Sequence, residues 1–531
     1  MGRRAGILLA MSSLPAGAAG GSSTRRAGGV TSTKGSGVLG DEAYRFVDFL
    51  ADAGQSCWQV LPIGPVGKTL SPYQSRSAFA GNPEWIAGGK AIHSIGGGPK
   101  PSLRGGRFFA GGEANHSIGG DAPPSYAKFL DENGKWLDDY ALFEAVRGSQ
   151  GGRPLSRWPE KLRNPSAKTI AELRNRYADE IEAVRLEQYT FFTQWKELKR
   201  CANLKGIGII GDLPIYVYED SAEFWLRRRL FDVGEDGRPR TSAGVPPDRF
   251  SKDGQIWNNP VYDWDRRRKE VIGFWRERFA QAERLYDGVR IDHFRAFADY
   301  YVYPLISGNG GGADSATASA REFATGCEGQ NKANLRKQAD TLSAIGGAPE
   351  GEWRKGPGKA FTDMIRKEFP GLFVIAEDLG ELSDAAVKLV EDSGFPGMKV
   401  MQFAFSGNPD NPYLPHNITE NSVCFTGTHD NNTLLGWAAA AQPEEKKYAM
   451  EYFGLTQKEV LPAAILSAAL ASRAATVIIP LQDWLGLGGA ARMNKPGTAG
   501  GRNWKWQYTE GALTPKLAAR IRHATKNLYG R

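Results

Sequence analysis

Eight short apolar runs recur along the chain. They lie at 5–10 (AGILLA), 57–61 (CWQVL), 207–211 (IGIIG), 287–291 (DGVRI), 372–376 (LFVIA), 398–403 (MKVMQF), 423–427 (VCFTG) and 476–480 (TVIIP). Runs of this length, rich in Val, Ile and Leu, are buried-strand signals. Helical periodicity falls between several of them. Residues 41–52 (DEAYRFVDFLAD) space their apolar positions three and four apart and stop near Gly54, and 179–204, 384–392 and 458–473 follow the same rule. Buried strands alternating with amphipathic helices pack as a parallel sheet with the helices outside. Eight such units predict an α/β fold, a single closed (β/α)8 barrel; an open doubly wound sheet is the alternative. The stretch 62–206 is too long for one connection, so an inserted subdomain is expected there, between strands 2 and 3.

Composition narrows the class. Of 531 residues, 41% are hydrophobic and 24% charged, as in an ordinary globular protein. No run of eighteen or more apolar residues is present, so no membrane association is expected. The N-terminal MGRRAGILLAMSSLPAG loosely mimics a signal peptide, but its apolar part is only residues 5–11, and a buried strand fits better. The net charge of +8 is spread out, as in Arg227-Arg228-Arg229 and Arg266-Arg267-Arg268. Without a clustered basic face or a known motif, no nucleic-acid partner is expected. Cys57, Cys201, Cys327 and Cys424 have no metal-like spacing, and a reducing compartment is the simplest reading. Gly-rich stretches at 16–38, 87–120 and 305–350 read as surface loops, the last an insertion after strand 4.

Three of the apolar runs break off into carboxylates: Asp292 after GVRI, Glu377 and Asp378 after FVIA, and Asp430 with His429 after VCFTGT. A charge there gains nothing from the core, and the C-terminal strand ends of a barrel are where active sites sit. Three such acids suggest one pocket for cleaving or moving glycosidic bonds. Arg290, two residues before Asp292 on the same strand face, keeps that carboxylate ionised for attack on an anomeric carbon. Glu377, after four apolar residues, is expected in partly apolar surroundings that raise its pKa and suit a general acid. Asp378 points the other way and reads as structural. Asp430 with His429 would bind sugar hydroxyls, His293 would donate to another, and Asp212 adds a fourth acid at the same rim. Tyr73 in SPYQS and Trp257 in GQIWNNP, flanked by Gln255, lie in polar loops and offer faces on which sugar rings stack.

With these residues in view, the chain resembles the 4-α-glucanotransferases (amylomaltase, or disproportionating enzyme) of glycoside hydrolase family 77. The matching stretches include SPYQSRSAFAGNP (71–83), GDLPIYVYEDSAEFW (211–225), GVPPDRFSKDGQIWNNPVYDW (244–264), DGVRIDHFRAF (287–297), AEDLG (376–380), GTHDNNTLLGW (427–437) and LGLGGAARMNKPGT (485–498). The resemblance implies Asp292 as nucleophile, Glu377 as acid/base and Asp430 as the carboxylate that stabilises the transition state. It implies sugar contacts from Tyr73, Asp212, Arg290, His293 and His429, and a mobile loop, 248–257, that brings Gln255 and Trp257 over the acceptor. It implies no metal or organic cofactor. Asn258 stands where the family commonly has Gly, and so does Ala296.

The expected activity is therefore retaining transfer of α-1,4-glucan segments between maltooligosaccharides, starch or glycogen. The rivals are an α-glucan hydrolase with the same acids, a metal-dependent phosphohydrolase using His429, Asp430, Asp212 and Asp292, and a glucan-binding scaffold without activity. A monomer or homodimer is expected, in the plastid stroma for an algal or plant source and in the cytoplasm for a bacterial one.

Overall fold

The computed structural model describes residues 2–15, 38–88, 125–247, 254–305, 351–498 and 500–531. Eight parallel strands close into a barrel: β1 (Arg4–Leu8), β2 (Cys57–Gln59), β3 (Gly208–Leu213), β6 (Gly288–Ile291), β9 (Phe373–Ala376), β10 (Gly397–Val400), β11 (Ser422–Phe425) and β12 (Thr476–Pro480). Each overlaps one of the eight apolar runs. The N-terminal run is a strand, paired with β12 on one side and β2 on the other. The barrel interior is filled by Leu8, Cys57, Ile210, Ile375, Met398, Val400, Val423, Phe425 and Ile478, all nearly inaccessible to solvent. Filling of this kind makes the barrel a packed core rather than a pore. Gly6 is required there, because a Cβ at that position would fall 2.2 Å from Cys57 Sγ.

Helices cover the barrel as periodicity predicts. Asp41–Asp52 buries Phe46, Val47, Phe49 and Leu50 and ends before Gly54, whose φ of +67° reverses the chain. Ala178–Leu204 buries Phe191, Trp195 and Leu198 and ends at Gly206, with φ of +74°. Asp384–Ser393 and Leu461–Ala471 lie within one to three residues of their expected bounds. Between β2 and β3 the chain adds the helices Tyr126–Ser149 and Ala167–Arg176 to Ala178–Leu204. No helix among the described residues is long and apolar enough to cross a membrane. The expected loops 16–38, 87–120 and 305–350 fall almost wholly outside the described residues, as do Cys327 and residues 248–253.

One element was not expected. A four-stranded antiparallel sheet runs in the order β5 (Gln255–Pro260), β4 (Thr241–Val245), β7 (Asp299–Pro304), β8 (Glu352–Lys355). It corrects the reading of Gln255 and Trp257 as loop residues. Both lie on β5, held by the pairing of Gly244 with Ile256 and of Val245 with Gln255. QIWNNP is too polar to announce a strand; its antiparallel pairing with β4 makes it one. Asn258 follows Trp257 in the left-handed region, at φ +57°, with its amide donating to Ser242 Oγ at 3.0 Å. Asn is among the non-glycine residues that adopt this conformation most readily, so Asn258 takes a backbone path that Gly would also tolerate.

Candidate active site

Every expected site residue sits at or beside the C-terminal end of a barrel strand, or on β5 above it. Adjacent strands supply the centre. Asp212 on β3 pairs in register with Arg290 on β6, which pairs with Ile375 on β9. Asp292 and Glu377 then follow one residue past the ends of β6 and β9. Their backbone amides continue the ladder, to the carbonyls of Leu213 and Ile291 at 3.0 and 3.2 Å.

Arg290 organises the acids. Its Nη1 donates to both oxygens of Asp212, each at 2.9 Å. Its Nη2 lies 2.9 Å from Asp292 Oδ1 and 3.9 Å from Glu377 Oε2. The Asp292 and Glu377 oxygens share that nitrogen, so they are within about 7 Å of each other, close enough to flank one anomeric carbon. Burial works against the charge on Arg290, but Asp212, Asp292, Tyr73 and Glu377 outweigh it and hold the guanidinium firmly protonated. Tyr73 donates to Asp212 Oδ2 at 2.8 Å, so this fully buried carboxylate is satisfied from two sides.

Glu377 is also hydrogen-bonded: the amide of His293 donates to Oε2 at 2.7 Å and that of Leu379 to Oε1 at 2.9 Å. Its carboxyl is still pushed up to about 7, first by burial and then by the negative charge of Asp292, against the pull of Arg290 and the two amides. Asp378 does point elsewhere, accepting from the Met398 amide at 2.6 Å and facing Lys399 Nζ at 3.4 Å. His293 occupies the left-handed region, at φ +50°. Its ring meets the edge of Trp257, with centroids 4.8 Å apart and planes at 85°. Burial, and then Arg295, lower its pKa to about 3, so the imidazole is neutral. Trp257 Nε1 donates to Gln255 Oε1 at 3.2 Å.

Across the pocket, His429 and Asp430 sit in the turn after β11. The His429 ring stacks on Tyr73, with centroids 5.1 Å apart, and its Nε2 lies 3.4 Å from Asp430 Oδ2. Burial opposes ionisation of Asp430, yet 47% of the side chain remains open to solvent. His429, the Asn494 amide and Arg290 outweigh it, and the carboxyl is held below its usual range. Asn494 donates to Asp430 Oδ1 at 2.6 Å, and Arg492 Nη2 donates to the Asp430 carbonyl. Trp504, at φ +64°, completes an aromatic group with Tyr73 and His429, at 6.0 and 5.9 Å. Asn494, Arg492 and Trp504 were not singled out from the sequence. The signal available was polar residues in RMNKPGT shortly after the last strand, at the barrel end where active sites gather.

The comparisons with known proteins agree with this geometry. The family model for 4-alpha-glucanotransferase, glycoside hydrolase family 77, matches residues 29–95 and 109–514. The 4-alpha-glucanotransferase of Thermus thermophilus is 40% identical over 92% of this chain and 94% of its own length. The chloroplastic/amyloplastic 4-alpha-glucanotransferase of Solanum tuberosum is 33% identical over 100% of this chain and 86% of its own. Among solved structures, amylomaltase from Streptococcus agalactiae in complex with acarbose superposes with a TM-score of 0.78 at 31% identity, covering 100% of this chain and 99% of that one. Two independent lines, sequence similarity over nearly the whole length and a shared closed barrel, lead to one conclusion: the chain belongs to the 4-alpha-glucanotransferases of glycoside hydrolase family 77.

Proposed function

We propose that this chain moves α-1,4-glucan segments between maltooligosaccharides or longer α-glucans by retaining double displacement. The observation that carries the reading is the shared guanidinium of Arg290, which touches Asp292 and stands beside a Glu377 of raised pKa. A carboxylate nucleophile and a second carboxyl of raised pKa, both gathered round one guanidinium, are the two partners that retaining transfer needs. Asp292 attacks the anomeric carbon as Glu377 passes its proton to the departing glycosidic oxygen. A β-glucosyl ester forms on Asp292. Glu377, now ionised, takes the proton of an acceptor 4-hydroxyl, and that oxygen displaces Asp292.

Asp430, ionised and open to the pocket, is placed to hold sugar hydroxyls more tightly as the ring flattens towards the oxocarbenium-like transition state. Tyr73 and His429 provide a stacked face for the donor sugar, and Trp257 with Gln255 closes the acceptor side against water. The relatives' names support an α-glucan as both donor and acceptor. The chloroplastic/amyloplastic relative supports a plastid stroma for an algal or plant source, and the cytoplasm remains the assignment for a bacterial one. The assembly is a monomer or homodimer.

Incubation with maltotriose, with products separated by size, tests the reading. Transfer yields glucose together with maltopentaose and longer chains. New reducing ends without any longer chain would assign the protein to hydrolysis instead.

A further inference from the structure

The turn that carries His429 and Asp430, residues 427–433, is shaped by hydrogen bonds within itself. Asn431 Oδ1 accepts from the amide and the hydroxyl of Thr428, both at 2.8 Å, and Thr428 Oγ1 accepts from the Asp430 amide at 3.3 Å. Such a turn has a defined shape, but its placement on the barrel must come from outside. Gln402 supplies one hold, donating to the Asn432 carbonyl at 2.8 Å, and Tyr73 lies against His429. Further holds come from the chain that follows β12.

Asp483 lies in the short helix Leu481–Trp484 just after β12. One carboxylate oxygen accepts from Thr426 Oγ1 at 2.5 Å, and the other accepts from the Leu434 amide at 2.7 Å. Thr426 directly precedes the turn, at the end of β11, and Leu434 begins the helix Leu434–Ala440 that directly follows it. A single carboxylate therefore grips both ends of the segment that bears Asp430. The same stretch holds the middle of the turn from the other side, through Gln482 to the Ala491 carbonyl at 3.3 Å, and then Arg492 and Asn494 to Asp430. Among the described residues, no Lys, Arg or His pairs with Asp483; burial pushes its carboxyl up to about 6 against the two donors. A buried carboxylate without a counter-ion is costly, and here the donors that offset the cost are Thr426 Oγ1 and the Leu434 amide.

We infer that Asp483 is a positioning residue for Asp430, setting where the 427–433 turn stands by bridging Thr426 and Leu434. This rests on the proposed role of Asp430. Placement errors of about 1 Å lower rates by up to about a hundredfold, so the effect is catalytic even though Asp483 touches no substrate.

The test is a double-mutant cycle measured with an α-maltosyl fluoride donor. Asp483→Asn keeps the shape but at most one of the two acceptors. It is expected to lower kcat about tenfold or more with KM little changed, and to add almost nothing to the loss already caused by Asp430→Asn. Thr426→Val, which removes one donor and keeps the packing, is expected to show the same pattern more weakly. Full additivity of either variant with Asp430→Asn, or wild-type kcat in both, would overturn the inference. If Asp430→Asn alone turned over normally, the proposed role of Asp430 would fail instead, and the two failures are thereby distinguished.

Discussion

The backbone amide of His293 donates to Glu377 Oε2 at 2.7 Å, from a residue whose own φ is +50°. The turn past β6 thus bends into the left-handed region and presents an N–H to the acid on the neighbouring strand. That bond favours the ionised form of Glu377, the form the proposed mechanism uses as base in its second half-reaction, while burial favours the protonated form it uses in the first. The raised value of about 7 is the balance of the two.

The first prediction follows from that balance. In the proposed mechanism, formation of the glucosyl-enzyme from an oligosaccharide needs protonated Glu377, so its single-turnover rate is expected to decline about tenfold per pH unit above about 7. Stability moves in the same direction. The folded pKa exceeds the ordinary value of 4.5, so between about 4.5 and 7 the folded chain binds more protons than the unfolded one, and stability falls as pH rises through that window. Glu377→Gln is therefore expected to be more stable than the parent at pH 8, by up to about 3 kcal/mol, and equal to it at pH 4. Urea unfolding at the two pH values reads this; an equal difference at both would reject it.

The second prediction separates the two carboxylates by donor. Asp292→Asn removes the proposed nucleophile and is expected to abolish turnover on maltotriose and on a glucosyl fluoride alike. Glu377→Gln is expected to lose orders of magnitude on maltotriose but to retain much of the fluoride reaction, whose leaving group needs little protonation. Rates on both donors decide it; equal losses for Glu377→Gln would mean that the residue serves binding.

Arg290 carries the third. Its loss in Arg290→Met leaves the fully buried Asp212 without its counter-charge, at a cost of about 3–5 kcal/mol in unfolding free energy. Adding Asp212→Asn removes the stranded charge and is expected to restore most of that stability without restoring activity. Denaturation midpoints of the single and double variants check the sign; a double variant no more stable than Arg290→Met would contradict the pairing.

The fourth concerns the choice between sugar and water. The Trp257 ring packs at a near right angle on His293, and the proposed function gives it the acceptor side. Trp257→Ala is expected to raise the ratio of hydrolysis to transfer while the total rate falls. Chromatography of maltotriose products gives the ratio, and an unchanged ratio in a folded variant would remove Trp257 from this role.

The eight barrel strands and their covering helices were legible because burial leaves a local mark. A strand enclosed on both faces must be apolar along its length, and a helix on the outside must be apolar at its own period. Asp292, Glu377 and Asp430 stood out for the converse reason: a carboxylate at the end of a buried run has no part in the core. What tertiary structure alone decided was which of these groups meet. Asp212, Arg290 and Glu377 converge because β3, β6 and β9 are neighbours in the barrel, which depends on strand order and register. The antiparallel sheet that carries Trp257 was invisible because TSAGV, QIWNNP and EWRK have weak strand character and the sheet is completed by β7 pairing with the distant β4 and β8. The hold of Asn494 and Asp483 on the Asp430 turn spans 64 residues in one case and 49 in the other. Apolar patterning is written residue by residue, whereas a polar contact is defined by two partners, and only the closed barrel brings those partners together.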